Sequence, residues 1–129
     1  GKYIAPKPME NKFKASRFID QIMVVGENKK HPAALVVPDA AFSNEWCKKK
    51  GFPGGSASEL AKNEELKARI WKDIEAINAE YGNFEQVKKI ELCEAPWTIE
   101  SGELTPSLKL KRKFILAKYD HLMVKIYGA

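Results

Sequence analysis

Cysteine is scarce in this chain: there are two, Cys47 and Cys93, and no Cys-x-x-Cys pair. Without that spacing neither a zinc knuckle nor a dithiol redox centre is indicated. Two lone thiols fit a reducing cytosol better than a disulfide-stapled secreted fold. Both read as small apolar core residues. No apolar run is long enough to cross a bilayer, and residues 1–14 hold no signal-peptide core. Histidine is equally rare. His31 falls in a turn-like segment and His121 in a helical one, neither with a Cys, Asp or Glu at metal-ligand spacing. No metal site is expected from this chain.

What is present is the material of one domain. Of 129 residues, 44% are hydrophobic and 30% charged, a balance that buries a core rather than staying disordered. The formal charge of +5 suits an anionic partner such as a nucleotide, coenzyme A or nucleic acid. By itself it selects none of them.

Along the chain, Tyr3 and Ile4 suit a short strand that Pro6 would stop. Pro8 is then well placed as the first residue of a helix with Met9 and Phe13 on one face. Ile19–Gly26 and Ala34–Pro38, joined by a polar turn, predict a β-hairpin. Asp39 is placed to cap the next helix, whose inner side carries Phe42 and Trp46. Gly51-Phe52-Pro53-Gly54-Gly55 breaks that helix. Ser56-x-x-Glu59 is a capping-box pattern. The helical stretch it opens runs to about Tyr81, with a break near Asn63. Leu66, Ile70, Ile74, Ile77 and Tyr81 form one apolar stripe, while Asp73 and Glu75 read as solvated. Val87–Leu92 predicts a third strand, and a loop follows from Glu94 to Pro106. A single last helix from about Lys111 turns Ile115, Tyr119, Leu122 and Ile126 inward. Trp46, Trp71 and Trp97 read as packing residues. The expected class is a small α+β domain, with a three-stranded sheet core, a short N-terminal strand and helices packed on the sheet.

The stretch that carries chemistry is Glu103-Leu104-Thr105-Pro106-Ser107-Leu108-Lys109-Leu110-Lys111-Arg112. Four of the five residues 109–113 are basic. A lysine on a proline-stiffened loop is a positive charge that can be held over a phosphate, where adenylyl or phosphoryl transfer gathers negative charge. From residue types alone, a solvated basic start to a helix is the competing reading.

This stretch resembles the Thr-Pro-Thr-x-Lys-x-Lys-Arg motif of long-chain acyl-CoA synthetases, members of the adenylate-forming superfamily. Ser107 stands for the motif's second Thr. Leu108 stands where most of the superfamily has Gly. Gly1-Lys2-Tyr3-Ile4-Ala5-Pro6-Lys7-Pro8-Met9-Glu10 is similar to the end of the family's hinge motif, Gly-x-x-Ile-x-Pro-x-x-Ile-Glu. Asp20–Gly26, Ala34–Pro38 and Phe84–Lys89 resemble the segments that follow, in the family's order.

The resemblance implies residues 1–129 as a single C-terminal lid domain of a larger ligase. The N-terminal ATP- and acyl-binding domain would lie upstream, and a chain opening in mid-strand is expected of such a piece. It further implies ATP, Mg2+ and coenzyme A as the cofactor and co-substrates of the whole enzyme, with a fatty acid as substrate. Lys109 would be catalytic in adenylation. Lys111 and Arg112 would be basic neighbours of the phosphates. Gly1, Lys2 and Tyr3 would face coenzyme A; Gly1 reads equally as native or as a cloning remnant. The chain alone would bind none of these ligands and be inactive. The parent would be cytoplasmic, with peripheral contact to the inner membrane and its own large domain as partner. Trp97 would touch that domain if its loop is exposed. A medium-chain or aryl-acid ligase shares the same lid, so acyl length stays open.

Two other classes compete. A nucleic-acid module would interleave aromatics with residues 109–113, yet Phe114 is the one nearby aromatic, so no nucleic-acid partner is expected. A protein-interaction module would need a large exposed apolar patch.

Overall fold

The computed structural model describes residues 4–128. Its centre is a three-stranded sheet in the order β1 (Ile19–Val25), β2 (Ala33–Pro38), β3 (Ile90–Leu92). β1 and β2 form the expected antiparallel hairpin, with Met23 opposite Leu35. β3 runs parallel to β2, placing Leu92 opposite Val36. A parallel neighbour needs a crossover, supplied by α2 (Ala40–Lys50), α3 (Ala57–Ala61), α4 (Glu64–Asn78) and a 3-10 turn at Asn83–Glu85. α1 (Pro6–Phe13) precedes the sheet. α5 (Arg112–Lys118) and α6 (Asp120–Tyr127) follow it.

All six residues of β2 are buried. Such an unbroken apolar run belongs to a strand covered on both faces. Ala34 and Val36 point to one side, where Met9, Phe13, Leu66, Ile70 and Ile74 pack. Ala33, Leu35 and Val37 point to the other, against Trp97, Ile115, Leu122 and Ile126. The result is α1 and α4 on one face of the sheet and α5 and α6 on the other.

Local signals explain the helix ends. Asp39 accepts from the Phe42 N–H at 2.9 Å and caps α2. Ser56 and Glu59 complete the reciprocal capping box of α3. Asn63 accepts from the Leu66 N–H at 2.9 Å, starting α4 at the expected break.

Four expectations are corrected. Ile4 and Ala5 lie in no strand, and Pro6 opens α1 instead of ending a strand. Its missing N–H is harmless there, because first-turn amides have no intrahelical partner. The third strand is shorter than expected: the Asn78 side chain, not a strand, takes both the N–H and the C=O of Val87. The last helix is two. Tyr119 leaves helical geometry at φ −105°, ψ 28°, with its ring buried. Asp73 is only partly exposed, accepting from Arg69 at 2.8 Å and from the Ser16 hydroxyl at 2.6 Å.

The loop after β3 is anchored rather than loose. The Gln21 amide holds Trp97, accepting from its N–H at 2.7 Å and donating to its C=O at 2.9 Å. Trp97 itself is 2% exposed, so it is a packing residue. Further on, Glu103 is 1% exposed. Its carboxylate accepts from Lys118 at 2.7 Å, from the Thr98 N–H at 3.3 Å and from the hydroxyls of Ser101 and Tyr119. Burial pushes this carboxyl up, but Lys118, Ser101 and the backbone donors outweigh it and hold it at about 2, against an ordinary 4.5. Gly102 beside it has φ +99°, where a side chain is strained, and a Cβ there would meet the Phe114 ring at 2.6 Å and have to displace it, so glycine suits this bend.

Two outcomes are expected. Ile74→Ala removes a fully buried stripe residue and should cost about 2–5 kcal/mol, read as a fall in urea midpoint. A change below about 1 kcal/mol would mean the stripe is not tightly packed. Because the Glu103 carboxyl titrates lower when folded, its contribution is full above about pH 4.5 and fades as pH falls toward 2. Glu103→Gln should therefore lose roughly 1–3 kcal/mol at pH 7. The gap from the unmutated chain should close on acidification, and a gap independent of pH would refute the ion-pair account.

Candidate active site

The basic motif is the exit of the anchored loop. Leu104 and Leu110 bridge as an antiparallel pair, and the Lys111 N–H reaches the Glu103 carbonyl at 2.8 Å. These pinch residues 104–110 into a tight turn. At its tip the Leu108 N–H donates to the Thr105 carbonyl at 2.8 Å, and the Thr105 N–H to the Lys109 carbonyl at 2.9 Å. Pro106 sits at the second position of this four-residue turn, where its fixed φ is suited. The Thr105 hydroxyl accepts from the Lys109 N–H at 3.0 Å. Leu108 has φ +66°, the left-handed region. That is the conformation glycine takes most readily. Leucine holds the same bend here, with its side chain 66% exposed.

Lys109 is thus fixed through its backbone and free at its tip. Its side chain is exposed, and among the described residues no carboxylate pairs with its ammonium. Lys111 is also exposed, its ammonium 5.4 Å from the centre of the Phe114 ring. Arg112 is different. Its guanidinium makes a two-pronged bridge to Glu10, at 2.8 and 2.7 Å. Glu10 is 5% exposed and also accepts from the Val24 N–H at 2.7 Å. The structure therefore brings Lys109 and Lys111 to one exposed turn and commits Arg112 to the fold. Gly1, Lys2 and Tyr3 lie outside the described residues.

Sequence reasoning did not single out Glu10, Glu103 or Gln21 as supports of this turn. Glu10 carried one signal, its match to the Glu that ends the hinge motif. Nothing in the sequence paired it with a residue 102 positions away.

Neither histidine builds a site. The His31 ring packs 5.0 Å from Tyr127, and His121 is exposed. Both cysteines are buried, and burial raises both thiols, Cys93 to about 12. Among the described residues no group of three or more His, Cys, Asp and Glu side chains comes together to hold a metal. The residues present do not fit a Mg2+ site. No described helix is long and apolar enough to cross a membrane. Two clefts of about 300 and 330 Å3 indent the described surface, one beside Trp71 and Glu91, the other beneath Arg17 and Arg69. Lys109 lines neither.

The family model of the AMP-binding enzyme C-terminal domain matches residues 1–129. Long-chain-fatty-acid–CoA ligase 5 of Mus musculus is 41% identical over 97% of this chain and 18% of its own length. Long-chain-fatty-acid–CoA ligase 1 of Homo sapiens is 39% identical over 87% of this chain and 16% of its own. The chain spans less than a fifth of the length of these curated relatives. Among solved structures, the A domain of a carboxylic acid reductase from Segniliparus rugosus, in complex with AMP and a carboxylic acid, superposes with a TM-score of 0.75. It is 23% identical over 98% of this chain and 18% of its own, a likeness of fold. The A-PCP didomain of a carboxylic acid reductase from the same organism, in complex with AMP, has a TM-score of 0.68 at 25% identity, over 91% of this chain and 15% of its own. With the whole of its length matched and its α+β fold shared, this chain belongs to the family of C-terminal domains of AMP-binding enzymes.

Proposed function

We propose that residues 1–129 act as the mobile C-terminal lid of a long-chain fatty acid–CoA ligase, with Lys109 as its adenylation lysine. One observation carries the reading: Lys109 sits on a turn fixed by Thr105 and Pro106, while its exposed ammonium has no carboxylate partner among the described residues. Exposed lysines without an ion pair, such as Lys14, Lys72 and Lys113, are common among the described residues, so it is the fixed turn presenting it that sets Lys109 apart. The relatives named as long-chain fatty acid ligases, 39–41% identical, support that substrate class. The acyl pocket would belong to the large domain, so a medium-chain or aryl acid would meet the same lid.

In the first step a carboxylate oxygen bonds to the α-phosphorus of ATP, and the bond to the pyrophosphate oxygen breaks. Negative charge builds on the phosphoryl oxygens as five oxygens crowd the phosphorus. The Lys109 ammonium, delivered by lid closure, offsets that charge. A preorganised donor of this kind is worth about 10²–10³ in rate. Lys111, on the same turn, raises the local positive potential that draws in a polyanion. In the second step the thiol sulfur of coenzyme A attacks the acyl carbonyl carbon and AMP leaves. The lid would by then have turned, withdrawing Lys109 and bringing Gly1, Lys2 and Tyr3 toward coenzyme A.

In the full-length parent, Lys109→Ala should lower fatty-acid-dependent ATP–pyrophosphate exchange by roughly 100-fold or more. Thioester formation from supplied acyl-AMP and coenzyme A should stay within severalfold of the unmutated enzyme. Survival of both half-reactions would make the basic run a solvated surface and end the assignment. The isolated 129-residue chain, given ATP, fatty acid and coenzyme A, should form no thioester above background. Steady turnover would refute the lid reading.

A further inference from the structure

Lys109 must arrive at one place in a closed site, and small errors in position are costly to rate. What fixes its turn relative to the rest of the lid therefore bears on catalysis. One end of the turn is held by Glu103, through the Lys111 N–H and the buried carboxylate. The other end is the first residue of α5, Arg112. Its guanidinium leaves the α5 side of the sheet and meets Glu10 of α1, which packs on the opposite side.

The meeting point is the edge of the sheet. β1 is an edge strand, and its Val24 N–H points away from β2 into the Glu10 carboxylate. Oε2 of Glu10 thus accepts from both Val24 and Nη1 of Arg112, while Oε1 accepts from Nη2. Three groups converge on one carboxylate that is almost fully buried. A planar guanidinium in this two-pronged geometry fixes direction as well as distance, which a lysine ammonium does not.

We infer that Glu10 and Arg112 are positioning residues for Lys109: their bridge clasps α1 to the start of α5 around the β1 edge, locking the lysine turn to the segment by which the lid enters. This rests on the proposed role of Lys109. It gives Arg112 a job inside the lid in place of direct contact with phosphate. It also makes residues 4–10 and the lysine turn one rigid unit, so that rotation at the entry is carried to Lys109 without slack.

The experiment uses the full-length parent with Glu10→Gln, Arg112→Lys and the double variant, each checked for an unchanged melting temperature or assayed well below it. Gln keeps the size and one acceptor for Val24; Lys keeps the charge but not the fork. Each single variant should lower the maximal rate of ATP–pyrophosphate exchange about tenfold, with the KM for ATP within twofold. The double variant should be no worse than the more damaged single, because both break one bridge. Thioester formation from supplied acyl-AMP should fall by less than threefold. If Arg112→Lys raises the KM for ATP while Glu10→Gln does nothing, Arg112 is a phosphate ligand and the inference falls. If both half-reactions drop together in every variant, the bridge serves stability alone and the inference also falls. Should Glu10→Gln not fold, Arg112→Lys with Arg112→Met decides. Equal, selective loss in exchange supports positioning, and loss only in Met marks a requirement for charge and overturns it. Lys109→Ala, run alongside, separates failure of this inference from failure of the lid reading: in that case its exchange would survive.

Discussion

A carboxylate taken out of water must find cationic or hydrogen-bonding partners, or the fold bears a penalty of several kcal/mol. Two such carboxylates, Glu103 and Glu10, stand at either end of the Lys109 turn, each at most 5% exposed. Glu103 collects Lys118, Tyr119, Ser101 and the Thr98 N–H. Glu10 collects Arg112 and the Val24 N–H. Neither can leave its place without stranding a charge. The eight residues between the two anchors, 104–111, inherit that fixity although most of them are exposed. This is how a surface turn acquires a definite shape without a core of its own.

The sheet decides why two anchors are needed. β2 is buried on both faces, so the helices divide into two layers that share no core. α5, which continues from the lysine turn, belongs to one layer, and α1, which follows the entry of the chain, belongs to the other. Apolar packing is non-directional and holds each layer to the sheet without fixing one layer's ends against the other's. The Glu10–Arg112 bridge supplies that directional link at the open edge of β1, where an edge amide would otherwise face outward unpaired. A bridge with its carboxylate so buried adds little net stability compared with an apolar pair, so its geometric specificity is the stronger reason for its presence.

Much of this was legible in the sequence, for reasons that are local. The caps at Asp39 and Ser56, and the break near Asn63, depend on atoms three residues away. The stripe of Leu66, Ile70 and Ile74 follows the helical period. The lysine turn was visible through its proline and its basic run. What stayed hidden is long-range. The break at Tyr119 has neither Gly nor Pro to announce it; that residue is buried against Trp97, with its hydroxyl at Glu103. Asp73 has a helix-surface spacing but is drawn to Ser16, 57 positions away. Arg112 read as a basic neighbour of the phosphates, and nothing in the sequence paired it with Glu10.

The basic residues around the turn differ in what they pair with. Lys118 and Arg112 are each within 2.8 Å of a buried carboxylate. Lys109, between the anchors, has backbone bonds on both its N–H and C=O and no ion pair among the described residues. A paired cation has much of its field cancelled by its partner, whereas an unpaired one on a stiff turn keeps its full charge for whatever anion approaches. The motif thus gives its charges separate roles. Arg112, and Lys118 beyond it, build the support, and Lys109 is the charge that the support presents.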